Sequence, residues 1–109
     1  MSQAQGTERH REIARIESTH LGFEDHGILT AFLQVTYGGA GQGIGGYAIT
    51  PVAGPYIERT LQACGVDRWE RLVGRTVYVV TDKPSGRVLG IEPLPTETGK
   101  PFMFDEVCR

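Results

Sequence analysis

The sequence predicts an α+β domain with a mainly antiparallel sheet, or a small OB-like, partly open barrel, with one principal helix in the order β-β-β-α-β-β. Three observations favour this class. Two pairs of strand-like segments are each joined by a short turn-like segment, as in β-hairpins. One segment, 55–64, has apolar residues at helical spacing. The chain has 109 residues, of which 39% are hydrophobic, enough for one modest core.

The first hairpin is predicted from two strands around a polar turn. Residues 12–21 mix apolar and β-branched residues without a helical period, so we expect a strand there. The segment 22–27, GFEDHG, has glycine at both ends and is typical of a turn. Residues 28–37 alternate between two faces, which makes them the clearest strand. Their apolar face comprises Leu29, Ala31, Leu33, Val35 and Tyr37.

A glycine-rich segment follows, because six of the nine residues from Gly38 to Gly46 are glycine. It is interpreted either as a flexible connector or as bulged strand ends. Residues 41–46 formally match G-x-G-x-x-G, but no helix follows directly, so the pattern does not indicate a dinucleotide site. We expect the third strand at residues 47–50, after the glycines.

The second half of the chain predicts a helix and a second hairpin. The helix has an apolar stripe and ends at Gly65, a residue suited to a left-handed C-cap. Asp67 is the expected N-cap of a short turn that carries Trp69. Residues 76–81 are a buried strand, and residues 87–91 are its return strand. The stripe comprises Tyr56, Ile57, Thr60, Leu61 and Cys64, and the apolar tail at 102–107 is expected to pack on the body.

Composition limits the function classes. The net charge is -2, so no general electrostatic attraction to nucleic acid or to an anionic membrane is expected. No apolar run approaches the length of a transmembrane helix, and the N-terminus has no apolar signal core. The two cysteines match no zinc spacing. We therefore expect a flexible tail at 1–10, one globular domain at 11–109, and no cofactor.

Two groups of residues are candidates for binding a ligand or partner. The first is a polar cluster that could bind a divalent metal or perform acid–base chemistry, although His–acid pairs in turns usually form local hydrogen bonds. The second is the glycine segment with its flanking tyrosines, whose rings could stack on a ligand. The first group comprises Glu17, His20, Glu24, Asp25 and His26. The second comprises Tyr37, Gly39, Gly41, Gln42, Gly43 and Tyr47.

Basic residues are concentrated in the second half of the chain. Between Ile57 and Gly90, six basic residues stand against four acidic ones. With Trp69 and Tyr78 nearby, this segment could form a nucleic-acid face. A solvated surface of Arg and Glu pairs is the simpler interpretation.

Three stretches carry a resemblance to a known group of proteins. They are IESTHLGFEDHGI at 16–28, YGGAGQGIGGY at 37–47 and GVDRWERLVGRTV at 65–77. Over residues 13–92 the chain resembles a family of small, uncharacterised bacteriophage and prophage proteins. The resemblance implies a phage or prophage setting in a bacterial host cell, and it implies no catalytic residue. The N-terminus without an apolar signal core predicts a cytoplasmic location. The step from Leu72 through Arg75 into a strand is also similar to phage single-strand-binding modules.

These observations lead to three hypotheses. The first is a non-enzymatic phage accessory protein that binds a host or phage macromolecule, most simply a protein, for example as an inhibitor of a bacterial defence system. The second is an OB-like module that binds single-stranded nucleic acid or a nucleotide. The third is a small metal-dependent enzyme that uses His20, Glu24 and His26, although we predict neither a metal site nor catalytic residues. A homodimer through a sheet edge beside the glycines is compatible with the first hypothesis.

Overall fold

The computed structural model describes residues 10–46, 52–84 and 86–107. They form a six-stranded antiparallel half-barrel with one α-helix, so the expected fold class is confirmed; the predicted order β-β-β-α-β-β is present, followed by a sixth strand of two residues. The strands are β1 (His10–Phe23), β2 (Leu29–Tyr37), β3 (Ala40–Gly46), β4 (Thr76–Thr81), β5 (Val88–Glu92) and β6 (Phe102–Met103). The helix α1 is Ala53–Cys64, and short 3₁₀ turns lie at Trp69–Arg71 and Phe104–Glu106.

The long strand β1 organises the sheet. The strand order is β3-β2-β1-β4-β5-β6, with β1 in the interior. β1 pairs with β2 from Ala14 to Phe23, but with β4 only from His10 to Arg15. At about 3.3 Å per residue, its 14 residues span about 45 Å, which agrees with the longest dimension of the molecule, 48 Å. The outer part of β1 therefore extends past β4 together with β2.

A bulge in β1 changes which residues face the core. The register against β2 shifts between Ile16 and Ser18, which leaves Glu17 as the extra residue. Because side chains alternate along a strand, one extra residue moves the core-facing positions from even to odd numbers. Ile16 faces the core before the bulge, and Leu21 and Phe23 lie on the same side of the sheet after it. The apolar face of the core thus continues beyond the body of the domain.

The glycine segment forms a hairpin. Gly38 and Gly39 have φ angles of 56° and 80°, and they join β2 to β3 as a two-residue turn. A type I′ turn requires positive φ at both positions, which glycine adopts without strain. Of the two interpretations, the flexible connector is wrong, because the glycines themselves form the third strand, and the other, strand residues that backbone approaches closely, is nearer to the structure. The strand predicted at 47–50 lies outside the described residues.

One face of β3 is made of glycines because β2 side chains lie over it. A Cβ atom on Gly43 would overlap the Phe32 ring, and one on Gly41 would lie 3.3 Å from Nε2 of Gln34. Gly45 has a φ of 109°, and a Cβ there would overlap the Ala31 carbonyl oxygen. The glycine pattern therefore has a packing reason.

Helix α1 and the C-terminal segment complete the core. The helix buries Tyr56, Thr60, Ala63 and Cys64, and its C-cap Gly65 is left-handed with a φ of 68°, as predicted. Of the predicted stripe, Ile57 and Leu61 are only partly buried.

The expected N-cap at Asp67 is wrong. Arg68 occupies that position without a side-chain capping bond, and the Asp67 carboxylate instead lies 3.5 Å from Arg68 and 3.4 Å from Arg71. The turn begins one residue later than predicted, and the Asp67 carboxylate lies beside the two arginines instead of capping it.

The apolar tail packs back on the body, as predicted. Phe102 is fully buried and meets the Tyr56 ring edge-on, with centroids 5.9 Å apart. Arg59 fixes this segment because its guanidinium donates to Oε1 of Glu106 and to the Pro101 carbonyl, and lies 5.0 Å from the Phe102 ring centroid.

Replacing Gly45 should destabilise the domain through β3. In Gly45→Ala, the positive φ and the overlap with the Ala31 carbonyl together are expected to lower the free energy of unfolding by about 2–4 kcal/mol. Gly54→Ala is the matched control, because a Cβ there meets open space in a helix and should add about 0.5 kcal/mol. Urea denaturation checks both, and equal effects of the two substitutions would contradict this account of β3.

Candidate functional site

Exposed apolar side chains cluster at the end of the first hairpin. We call residues 18–31 the arm, since β4 does not accompany β1 there. Phe23 is 71% exposed, Leu21 44%, and Ile28 and Leu29 38% each. Leu21 pairs with Ala31, and Phe23 pairs with Leu29, so these side chains share one face. That face continues inward to Leu33, which is fully buried. The arm thus presents core-type residues to solvent.

The turn of the arm is held by backbone hydrogen bonds. The Gly27 N–H donates to the Glu24 carbonyl at 2.8 Å, and the Glu24 N–H donates to the Ile28 carbonyl at 3.0 Å. Gly27 has a φ of 79°, the left-handed conformation that follows a type I turn in a three-residue hairpin loop. The bonds fix the positions of Phe23 and Ile28 on either side of the turn.

The Glu24 carboxylate is also part of this turn. Its Oε1 accepts hydrogen bonds from the backbone N–H of His26 at 2.6 Å and of Ile28 at 3.2 Å. Its Oε2 lies 2.9 Å from Nδ1 of His26. Among residues 10–46, 52–84 and 86–107, no group of three or more potential metal ligands is found. In this structure the Glu24 and His26 side chains stabilise the hairpin turn through these local hydrogen bonds, and we call the Glu24 contacts the brace of the turn.

The arm has a negative charge. From Ile16 to Tyr37 there are three carboxylates, Glu17, Glu24 and Asp25, and no lysine or arginine. Glu17 in the bulge accepts a hydrogen bond from Oγ1 of Thr36 at 3.0 Å. Asp25 and His20 are exposed. The arm therefore combines an apolar face with an acidic turn.

Tyr37 and Gln42 bridge the two halves of the half-barrel. The Tyr37 hydroxyl donates to the Gly86 carbonyl at 2.7 Å and accepts from Nε2 of Gln42 at 3.2 Å. Oε1 of Gln42 accepts from the Val88 N–H at 2.9 Å. Tyr37 is only 4% exposed, and burial raises the pKa of its hydroxyl. Its ring is thus enclosed and does not present a face for stacking on a ligand.

An open cleft of about 650 Å³ adjoins this bridge. Its walls are β3 on one side and the beginning of β5 on the other. The lining residues include Gln42, Gly43, Ile44, Gly86, Val88 and Phe104. Three glycines and five residues with side chains, among them Arg87, therefore line the cleft.

The predicted site residues do not form one surface. The acidic turn lies at the Leu29 end of β2 and the Gly38–Gly39 turn at its Tyr37 end, about 26 Å apart at 3.3 Å per residue. Gly41 and Gly43 lie on β3 beneath β2 side chains, and Gly39 is in the tight turn. Tyr47 lies outside the described residues.

Most basic residues of the second half form ion pairs or hydrogen bonds. Arg68 and Arg71 lie beside Asp67, and Arg59 is bonded to Glu106. Arg75 donates to the Cys64 carbonyl at 3.1 Å and lies 3.3 Å from Glu97. This agrees with a surface of paired charges more than with a phosphate-binding face.

The cysteine thiol in the helix is not suited to nucleophilic chemistry. Cys64 is buried, and burial raises the pKa of its thiol to about 12. Its thiolate fraction at neutral pH is therefore negligible.

The sequence interpretation missed the apolar side chains of the arm. The alternating pattern predicts Leu29 on the apolar face of its strand, and the composition of 22–27 places Phe23 in a polar turn. The available signal was the pair of apolar residues on each side of EDHG: Leu21 and Phe23 before it, Ile28 and Leu29 after it.

Comparison with family models, with curated proteins and with solved structures gives no significant match. Among the described residues, none of the helices has the length and apolar character needed to cross a membrane.

Removing the Glu24 carboxylate should loosen the arm. Glu24→Ala deletes the acceptor of the His26 and Ile28 N–H groups, and is expected to lower the local opening free energy of the turn by about 1–2 kcal/mol. Amide hydrogen exchange of residues 26–28 measures this directly. Asp25→Ala is the control in the same turn, and faster exchange in that variant alone would contradict the assigned brace.

Tyr37→Phe should lower the free energy of unfolding by about 1–2 kcal/mol at neutral pH, because it removes both hydrogen bonds of the hydroxyl. Since the folded state raises the pKa of Tyr37 above 10.0, this stabilisation is complete below pH 10 and declines as the pH rises through the folded-state pKa.

The difference between wild type and Tyr37→Phe should therefore shrink above pH 10 in chemical denaturation. The Cys64 thiol titrates in both proteins and cancels in the difference. If the difference in free energy of unfolding stays constant or grows above pH 10, folding does not raise the pKa of Tyr37.

Proposed function

We propose that this protein is a non-enzymatic binding protein whose arm docks into a partner protein. The observation that supports this most is the exposed apolar face of Leu21, Phe23 and Leu29, with Ile28 exposed beside the turn, on a hairpin that extends past β4. Contiguous exposed apolar side chains are typical of interaction sites, and burying them on a partner is favourable at about 25 cal/mol per Å². A hairpin with a braced turn loses little conformational freedom on binding.

The charge of the arm limits the chemistry of the partner. The arm itself contains two carboxylates, Glu24 and Asp25, and no lysine or arginine, while Glu17 at its base lies 4.0 Å from Arg15. A complementary surface is an apolar groove with a basic rim. Opposite charges across the rim accelerate association and make it sensitive to salt.

The resemblance to phage and prophage proteins supplies the biological setting of the proposal. In that setting the partner is a host or phage protein in the bacterial cytoplasm, and a component of a bacterial defence system is one candidate. A nucleic-acid or nucleotide module, or a small metal enzyme, has less support. Tyr37 is enclosed, most arginines of the second half are paired, and Glu24 and His26 bond each other.

Arm variants should lose the partner while keeping the fold. The double variant Leu21→Ser with Phe23→Ser removes the two most exposed apolar side chains of the arm and is expected to weaken partner binding by about thirtyfold or more, as for an interface hot spot. Tagged protein is used for affinity capture from lysate of a bacterial host. Circular dichroism and thermal unfolding check that each variant is folded.

The matched control is Ile13→Ser with Val73→Ser. Ile13 is 63% and Val73 52% exposed, and both lie off the arm. We expect wild type and control to retain a stoichiometric protein that the arm variant loses, with less retained at high salt. Absence of any stoichiometric protein, or equal capture by the arm variant, would contradict the proposal.

A further inference from the structure

We infer that a second copy of this chain pairs with the open edge of the arm, so that the β1 strands of two copies join into one antiparallel sheet. The inference stands on the backbone edge of the arm, whereas the proposed function stands on its apolar face. Only the role of the dimer in docking rests on the proposed function. Pairing through exposed strand edges is an established mode of association.

One edge of β1 is unpaired beyond the bulge. β4 accompanies β1 only as far as Arg15, and the last bonds on that side join Ile16 to the backbone of Gly74 and Arg75 at 2.8 and 3.0 Å. Within the part of the chain that the structure describes, residues 18–23 pair with β2 alone. The edge opposite β2 is therefore open over six residues, about 20 Å.

The strand register shows which backbone groups lie on this edge. Tyr37 and Ala40 flank the two-residue turn as a hydrogen-bonded pair, so odd-numbered residues of β2 bond to β3 and even-numbered ones bond to β1. Ser18, His20 and Gly22 lie opposite even-numbered residues of β2, so their backbone groups face β2. The residues between them face the open edge with both N–H and C=O. These outward residues are Thr19, Leu21 and Phe23.

The three outward residues are symmetric about Leu21. When two β1 strands run antiparallel with Leu21 opposite Leu21 of the second copy, Thr19 of each copy lies opposite Phe23 of the other. Each such pair exchanges two hydrogen bonds, so all outward groups are satisfied by about six bonds. A pair centred on His20 or Gly22 would place one outward residue against the bulge or the turn. The symmetric register therefore uses the whole edge.

The side chains of this edge are compatible with pairing. Natural edge strands are often protected by lysine or proline. Residues 18–23, STHLGF, contain no lysine, arginine, aspartate, glutamate or proline. Across the new pairing, Leu21 would contact Leu21 and Phe23 would contact Thr19, as cross-strand neighbours on the apolar face. The two-fold axis is perpendicular to the sheet, so the apolar faces of both arms lie on the same side and form one larger docking surface.

The ends of the paired strands bring opposite charges together. Ile16 lies four strand positions from Leu21 once the bulge residue is left out, and four residues beyond Leu21 in the second copy is Asp25. The acidic turn of one copy therefore reaches the base of the arm of the other. The mostly exposed Arg15 side chain lies there, with Nη2 close to Gly74. The chain thus supplies both the edge and the complementary charge, which favours a second copy over an unrelated strand.

Sedimentation of the full chain from low micromolar to millimolar concentration measures the association. We expect the mass to rise from 11.9 kDa toward twice that value. Thr19→Pro removes an outward N–H and no bond to β2, and should weaken the dimer about thirtyfold, because two backbone hydrogen bonds are lost. Thr19→Ala keeps the N–H and is the matched control, which should associate like wild type. Circular dichroism checks that both variants are folded.

Amide exchange measured by NMR identifies the edge in wild type. As the concentration rises, the amides of Thr19, Leu21 and Phe23 should become protected. The amides of His20 and Gly22 already bond to β2 and should change little. This alternation distinguishes strand pairing from contact through the apolar face, which would not follow the backbone pattern.

A cross-link tests the register. Leu21→Cys in a Cys108→Ser background should form a disulfide-linked dimer on oxidation, since hydrogen-bonded partners have Cα atoms about 5.5 Å apart. Cys64 is buried and should not compete. Leu29→Cys is the control, because Leu29 is exposed on β2, away from the open edge, and should cross-link far less.

Three results would overturn the inference. They are a monomer at millimolar concentration, equal association of Thr19→Pro and Thr19→Ala, and protection that rises along β3 instead of at residues 19–23. The proposed function fails separately. A monomer that still captures a partner protein overturns the dimer alone, whereas a dimer that captures none overturns the docking of the arm alone.

Discussion

The bulge at Glu17 is the constraint on which the rest of the structure depends. It lies where β1 leaves the pairing with β4 and continues with β2 alone. Without the extra residue, Leu21 and Phe23 would point to the opposite side from Ile16. With it, one apolar face extends from the core to the end of the arm. The same face packs the domain and presents the candidate docking surface.

The exposed arm and the open cleft both arise from the incomplete closure of the sheet. A closed barrel has no edges, whereas a half-barrel leaves strand edges unpaired. At one end, β1 and β2 extend beyond β4 and expose apolar side chains. Between the walls, Tyr37 and Gln42 bridge β3 to Gly86 and Val88 through side chains. The glycine face of β3 carries no side chains, and this leaves room for Phe32 and Gln34 of β2 to lie over it.

Local chemistry made much of the fold predictable from the sequence. Residues 76–81 are β-branched or aromatic, and they form β4 with the predicted ends. Gly65 ends the helix because a left-handed C-cap favours glycine, and its position directly after the apolar stripe predicts this end. Long-range effects were not predictable. The Glu17 bulge depends on pairing with β2, and the glycine strand depends on Phe32 lying across Gly43. β6 has two residues and depends on pairing with β5.

In the candidate site too, the residue types were predictable from the sequence and their spatial arrangement was not. Polar residues of the turn were recognised, because Glu, Asp and His carry chemistry by type. Their role in the structure is to hold the hairpin, which requires knowing that Oε1 of Glu24 reaches two backbone N–H groups. The apolar residues beside EDHG mark the segment, but the exposure of Phe23 depends on β4 pairing only with the first part of β1, which is a long-range feature.

Hydrogen exchange on the partner complex tests the central claim most directly. The complex captured from a bacterial host and the free protein would be exchanged in parallel, and peptides covering each strand compared by mass spectrometry. Docking through the arm should slow exchange of residues 18–31 most strongly. Protection confined to residues 67–75 or to the cleft, with residues 18–31 unchanged, would contradict docking through the arm.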